Sequence, residues 1–355
     1  MNAKHPPPRG RGAEANPSGR FEKLAYQPEL EDLDPEEEER PRKTEFLKDT
    51  SKSIITYNQS PDVRFDAGIN PYRGCEHGCS YCYARPYHEY LGMSPGLDFE
   101  TKILVKENAP ALLRKELLSK KWKPQLLGIS GVTDAYQPIE KKLKLTRGCL
   151  EVLAEFRNPV AIVTKNRLVS RDADRLSELA KYKAAAVYLS ITSLDPDLRR
   201  RMEPRTSSPQ QRLDAIRALT EAGVPAGVLI GPVVPGLTDH EIPSILAEAA
   251  KAGAAFASYI ILRLPLGVGP IFEAWLEANY PNKKEKVLSR IRDLHGGTLN
   301  DTRTVTRMKG EGAYSEQIAS MFRMGLKKSG IARNAPELSS ASFRRPIPEQ
   351  ITLFD

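Results

Sequence analysis

From about residue 60 onward the chain alternates short apolar runs with longer stretches in which apolar residues recur every three to four positions. The runs at 125–130, 159–164, 184–191, 226–232 and 256–262 lack polar alternation, as strands buried on both faces do. The segments near 143–157, 171–182, 209–222 and 240–253 carry the helical period, and Gly223 and Gly253 stand where helices commonly stop. A further strand over Asp66 to Tyr72 brings the total to about six β/α units. The fold class predicted is α/β, a partial parallel (β/α)6 TIM-type barrel.

Polar residues recur at the carboxyl ends of these strands: Ser130, Thr164 with Lys165, Ser190 with Thr192, and Arg263. Any strand turns polar as it leaves the core, but recurrence along one edge marks the face where such folds place their chemistry.

The flanks read differently. Residues 1–58 are rich in Pro, Gly and charge, include an acidic run from Glu29 to Glu39, and predict a disordered charged tail. Residues 59–268 form the predicted core barrel, 269–333 a helical extension with Trp275 and Leu276 as packing residues, and 334–355 a flexible tail. The formal charge of +8 agrees with a polyanionic partner, and runs such as Arg199-Arg200-Arg201 also read as solvated helix faces. No apolar run approaches the roughly 20 residues that cross a bilayer, and the first residues lack a secretory apolar stretch, so a cytoplasmic protein without membrane contact is expected.

Three of the four cysteines, Cys75, Cys79 and Cys82, lie within eight residues as C-x3-C-x2-C, which is no disulfide framework for a chain of 355 residues. Three soft thiolates this close can wrap one cubane cluster and leave its fourth iron open to an incoming ligand. A Cys3His zinc site using His77 or His88 is the alternative, although zinc modules usually pair two ligand clusters. A dithiol redox motif made by Cys79 and Cys82 is a further one, which the neighbouring third thiol argues against.

The run from Asn70 through Cys75, Cys79, Tyr81 and Cys82 to Arg85 resembles the signature loop of radical S-adenosylmethionine (SAM) enzymes. The resemblance extends over roughly residues 65 to 265 and is nearest the subgroup containing spore photoproduct lyase. It implies a [4Fe-4S] cluster on Cys75, Cys79 and Cys82 whose open iron chelates S-adenosyl-L-methionine. It also implies that one electron cleaves the cofactor to methionine and a 5′-deoxyadenosyl radical, which abstracts a substrate hydrogen atom. Matching strand ends to the family, Ser130 and Thr133 fall in the segment that replaces its usual Gly-Gly-Glu. Lys165 and Ser190 fall where carboxylate and ribose are contacted, and Gly231 where backbone approaches the adenine. An electron donor such as flavodoxin or ferredoxin is implied, as is DNA carrying a damaged or modified base. A protein, RNA or small-molecule substrate is the alternative, and a zinc-stabilised nucleic-acid-binding adaptor is the non-enzymatic one.

One departure matters. Spore photoproduct lyases carry a further cysteine after the second strand, and the matching segment Ser130-Gly131-Val132-Thr133-Asp134 has no thiol. Cys149 reads as a small buried residue on an amphipathic helix, which leaves Tyr136 as the nearby hydrogen donor. The final residues resemble the bacterial sliding-clamp peptide, with Gln350 setting register and Leu353 and Phe354 filling a pocket, and predict a clamp partner.

Overall fold

The computed structural model describes residues 10–21, 43–63 and 65–346. Its main sheet is built from β2 (Ile55–Tyr57), β3 (Ala67–Ile69), β6 (Leu127–Ile129), β7 (Val160–Thr164), β8 (Ala185–Ser190), β9 (Ala226–Val233) and β10 (Phe256–Ile261). Spatial order follows the chain as β2-β3-β6-β7-β8-β9-β10, with β3 and β6 to β10 all parallel and β2 antiparallel on the outside. Six parallel strands in sequence order are the predicted β/α repeat. The sheet is open rather than a closed barrel, with β2 at one edge and β10 at the other.

The strands form where the apolar runs lie because helices cover one face of the sheet, while along β7 the other face, with Ala161 and Val163, is only half-buried. Ile162, Val187, Val228 and Ile230 are buried among residues of the helices Leu145–Phe156, Ala173–Ala180, Pro209–Glu221 and Ile242–Lys251. Cys149 lies fully buried in this core, as a small apolar residue would. The free edge of β10 is covered by Ala332, whose carbonyl accepts from Ala257 N at 2.8 Å. This contact follows the helix Gly312–Ser329, whose Phe322 packs 4.7 Å from Tyr259. In the extension, Trp275 and Leu276 are buried, and Trp275 stacks on Phe272 at 5.4 Å.

Two expectations about the flanks are corrected. A second sheet, β1 (Glu45–Lys48) with β5 (Lys102–Val105) and β4 (Tyr72–Arg73), draws its outer strand from the stretch expected to be a disordered tail. Residues 10–21 of that stretch form a strap across the polypeptide that follows the cysteine loop. Ala15 O accepts from Leu97 N at 3.3 Å, Asn16 and Asp98 exchange bonds of 3.0 and 2.9 Å, and Pro17 O accepts from Ser94 Oγ at 2.6 Å. These polar contacts leave no apolar periodicity to read. The segment expected to be a flexible carboxyl tail is likewise docked as far as residue 345: Arg344 N reaches Phe156 O at 2.9 Å, Phe343 lies 6.1 Å from Phe156, and Arg345 Nη2 donates to Trp122 O at 3.0 Å. Gln350, Leu353 and Phe354 lie outside the described residues. Among the described residues no helix is long and apolar enough to cross a membrane.

Candidate metal centre and cofactor site

The cysteine loop leaves β4 and descends in successive tight turns. Gly78 N reaches Cys75 O at 3.4 Å, Cys82 N reaches Cys79 O at 3.2 Å, and Arg85 N reaches Cys82 O at 3.2 Å. All three thiols are free, Cys75 and Cys79 buried and Cys82 half-buried. Burial pushes the Cys79 thiol up and raises Cys82 to about 11, with the neighbouring Cys75 adding to the latter. Buried thiols raised in this way, Cys79 and Cys82, give up their protons more readily when a cation arrives to balance the thiolate.

The loop is clamped from behind. The fully buried Arg85 guanidinium donates to Cys79 O at 3.1 and 2.8 Å and to Gly96 O at 2.9 Å, and it pairs with the buried carboxylate of Glu100. The strap completes Glu100: Gly12 N and Ala13 N donate to its two oxygens at 3.0 and 2.9 Å. At this point strap and loop touch backbone to backbone, so that a Cβ on Gly12 would stand 1.7 Å from Gly78 O. Only glycine permits that approach.

Two groups of side chains flank the loop. On one side the turn after β6 is pinned to it. Thr133 Oγ1 donates to Gly74 O at 2.6 Å, Gln137 Nε2 donates to Gly74 O at 3.3 Å, and Glu76 N donates to Gln137 Oε1 at 3.0 Å. Asn70 Oδ1 accepts from Gly131 N and Val132 N at 3.1 and 3.3 Å, while Ser130 Oγ accepts from Ala135 N at 3.0 Å. Asp134 ties this turn to the next strand, accepting from Thr164 Oγ1 at 2.7 Å and Lys165 N at 2.8 Å. It also faces His77 Nδ1 at 3.4 Å. Burial opposes charge on both members of that pair, yet each carries the other: His77 is raised to about 10 and Asp134 lowered to about 2.

On the other side Lys165 Nζ donates to Ser190 Oγ at 2.6 Å and Gly231 O at 2.9 Å, and it lies 5.8 Å over the Tyr81 ring. Thr192 Oγ1 donates to Gly231 O at 2.9 Å, with Glu203 Oε1 a further 2.7 Å neighbour. Glu203 is buried and also bonded by Tyr81 OH and Arg212 Nη2. Burial works against its charge, but Arg212 and Lys165 hold its carboxyl down at about 2.

The residues expected from sequence thus divide. Lys165, Ser190 and Gly231 meet in one hydrogen-bonded group, and Thr133 touches the residue before Cys75. Ser130 serves to hold its own turn, at a left-handed φ of 79°. Gly231 contributes its carbonyl, and a Cβ there would meet Leu229 Cγ at 3.1 Å rather than open space. Tyr136 joins neither group. It is fully buried in the main core, and the charges nearest its hydroxyl are Asp172, Glu140 and Arg171 rather than the cysteines. Sequence reasoning missed Glu203, Arg212, Glu100 and Gly12. The signal for Glu203 was faint, a single acid closing the short basic helix Pro196–Met202.

Among the described residues no group of three or more His, Cys, Asp or Glu is placed to hold a single ion. His77 is occupied by Asp134 and by Asn166 Nδ2 at 3.3 Å, and His88 packs edge-on to Phe99 at 5.6 Å. Ligands of one zinc crowd a single small shell, whereas those of a cubane stand farther apart around it. The three thiols are the donor set that a cubane takes, and His77, held by Asp134 and Asn166, is not free to complete a Cys3His zinc site.

A family model described as "Radical SAM superfamily" matches residues 69–249. An uncharacterized protein of Mycobacterium tuberculosis is 38% identical over 291 residues, 81% of either chain. An uncharacterized protein of Methanocaldococcus jannaschii is 33% identical over 249 residues, covering 70% of this chain and 88% of that protein. A "Radical SAM Nalpha-GlyT isomerase" of Pseudomonas phage M6 is 27% identical over 215 residues, covering 56% of this chain and 42% of that one. Among solved structures, spore photoproduct lyase complexed with dinucleoside spore photoproduct shares the fold with a TM-score of 0.54 and 18% identity, over 80% of this chain and 79% of that one. None of these similarities carries the sliding-clamp expectation.

Proposed function

This chain belongs to the radical SAM superfamily and is a radical SAM enzyme, and we propose that it acts on a damaged or modified base in DNA. The family uses a [4Fe-4S] cluster and S-adenosylmethionine, and when bound and reduced they supply a carbon-centred radical that removes a hydrogen atom from substrate. Cys75, Cys79 and Cys82 would hold the cluster. The observation that supports the cofactor site is that Tyr81, between Cys79 and Cys82, lies 5.8 Å beneath Lys165, which with Ser190 and Gly231 stands at the carboxyl edge of a parallel sheet.

Each residue has a task that its contacts support. The ammonium of Lys165 is anchored by Ser190 and Gly231 and offers a fixed positive charge to the cofactor carboxylate. Thr133 and Gln137 hold Gly74 and so fix the first ligand, while Arg85 fixes Cys79 through its carbonyl. The substrate class is supported by the net charge of +8 and by the dinucleoside spore photoproduct bound to spore photoproduct lyase. The lesion is not the spore photoproduct itself, because the turn Ser130 to Asp134 carries no thiol and Cys149 is locked in the core.

Two experiments test these points. Lys165→Met should raise the S-adenosylmethionine concentration needed for half-maximal 5′-deoxyadenosine formation by about tenfold or more, the loss of one charge-assisted contact, with iron content unchanged. Loss of iron instead would make Lys165 a support of the loop. For the substrate, reduced enzyme is incubated with cofactor and base-deuterated, damaged DNA. Deuterium in the recovered 5′-deoxyadenosine is expected, and cofactor cleavage without deuterium transfer from any damaged strand would remove DNA as the substrate.

A further inference from the structure

Four exposed aromatic rings stand together beside the cysteine loop. Phe21 ends the strap, Tyr83 follows Cys82 directly, and Tyr87 and Tyr90 lie three apart on the 3-10 helix Arg85–Leu91, a spacing that puts them on one face. Phe21 and Tyr90 are 5.3 Å apart by ring centroids, and Tyr87 and Tyr90 are 6.4 Å apart. Tyr83 is fixed by donating its hydroxyl to Gly131 O at 2.7 Å, at the end of β6. Guanidinium groups lie on the same row: Arg20 is 5.1 Å over Phe21 and 5.8 Å over Tyr90, and Arg263 is 4.9 Å over Tyr83. Arg263 sits past the end of β10, and among the described residues it forms no ion pair.

Exposed tyrosines in a row lose apolar hydration only when something flat covers them. We infer that this ridge docks an unpaired DNA strand, its bases stacking on the four rings and a phosphate meeting Arg263, and so leads the target base to the cysteine loop. This rests on the DNA reading above and deepens it. Bases inside a duplex already stack on each other and offer no face to such a row, whereas unpaired bases of any sequence do. An acidic redox protein is the other candidate occupant, but it would seek unbalanced cations. Arg20 is already balanced by Glu89 at 2.7 Å, so that four rings with Arg263 as the row's one cation outside an ion pair among the described residues suit stacked bases and a phosphate better than an acidic protein face.

The test uses anaerobic holoenzyme and fluorescein-labelled oligonucleotides of about 12 residues, within the range one such platform covers. Single-stranded DNA is expected to bind more tightly than the same sequence as duplex. In Tyr87→Ser/Tyr90→Ser its affinity should fall about tenfold or more, with duplex binding and DNA-independent 5′-deoxyadenosine formation unchanged. Both residues are exposed, so folding is preserved, and the unchanged cofactor cleavage verifies it. Equal single-strand affinity in the variant overturns the inference, as does a preference for duplex or for the matching RNA. Slower reduction by flavodoxin with normal DNA binding overturns it in favour of a redox-partner surface. Failure of the DNA reading looks different: strand binding stays ridge-dependent, yet no deuterium leaves the DNA.

Discussion

Replacing Gly12 by valine is expected to cost the protein more than about half of the iron and acid-labile sulfide that wild type retains after the same anaerobic reconstitution. Gly12 belongs to a strap outside the matched family region, yet it is packed against the cysteine loop so closely that its own Cβ would lie 1.7 Å from Gly78 O and 2.9 Å from Ser80 N. Both atoms are backbone of the loop that bears Cys79, so the clash cannot be relieved by turning a side chain. Either the strap lifts, uncovering Glu100 and its partner Arg85, or the loop shifts and the thiols lose their spacing. Gly269→Ala is the control, since its added Cβ meets nothing closer than 3.8 Å, and it should keep its iron. Iron and sulfide assays with circular dichroism check the result. Wild-type iron in Gly12→Val would show that the strap has no hold on the loop.

Glu203→Gln should be the most destabilising of the conservative substitutions at the site. Glu203 is buried with Arg212, which also donates to Ser190 O at 2.7 Å, Ser207 O at 2.9 Å and Thr206 Oγ1 at 2.6 Å. Removing the carboxylate leaves a buried guanidinium without its counter-charge, a loss of about 3–5 kcal/mol. The pH dependence has a definite sign. The carboxyl sits at about 2 in the folded protein, below the ordinary 4.5, so the stability it contributes is complete above about pH 4.5 and disappears as the pH falls toward 2. Between pH 5 and about pH 3, wild type should therefore lose stability faster than Glu203→Gln in urea unfolding. Parallel curves for the two proteins over that interval would mean that the carboxylate is not held by Arg212.

What the sequence disclosed and what it hid follow from one distinction. Ile162, Val187 and Val228 sit in continuous apolar runs, which the chain displays locally, and the parallel strands lie where those runs are. The cysteine loop was legible for the same reason, because three thiols within eight residues need no folding to be neighbours. Lys165, Ser190 and Gly231 were legible as strand ends, since parallel strands bring successive ends to one edge. Glu203, Glu100 and Gly12 were hidden because their partners, Tyr81, Arg85 and Gly78, are reached only by the folded chain. β1 was hidden because Glu45 to Lys48 is largely exposed and shows no apolar alternation. Tyr136 was misplaced for a related reason. It follows Asp134 by two residues, but its side chain packs into the main core, whereas Asp134 faces His77.

Whether Cys75, Cys79 and Cys82 bind a cluster with one iron open to the cofactor is read by electron paramagnetic resonance. Anaerobic, dithionite-reduced protein should show the signal of a reduced [4Fe-4S] cluster, that signal should change when S-adenosylmethionine is added, and Cys82→Ala should lack it. A cluster signal indifferent to S-adenosylmethionine, or protein holding zinc and no acid-labile sulfide, would rule out an open iron on these three cysteines.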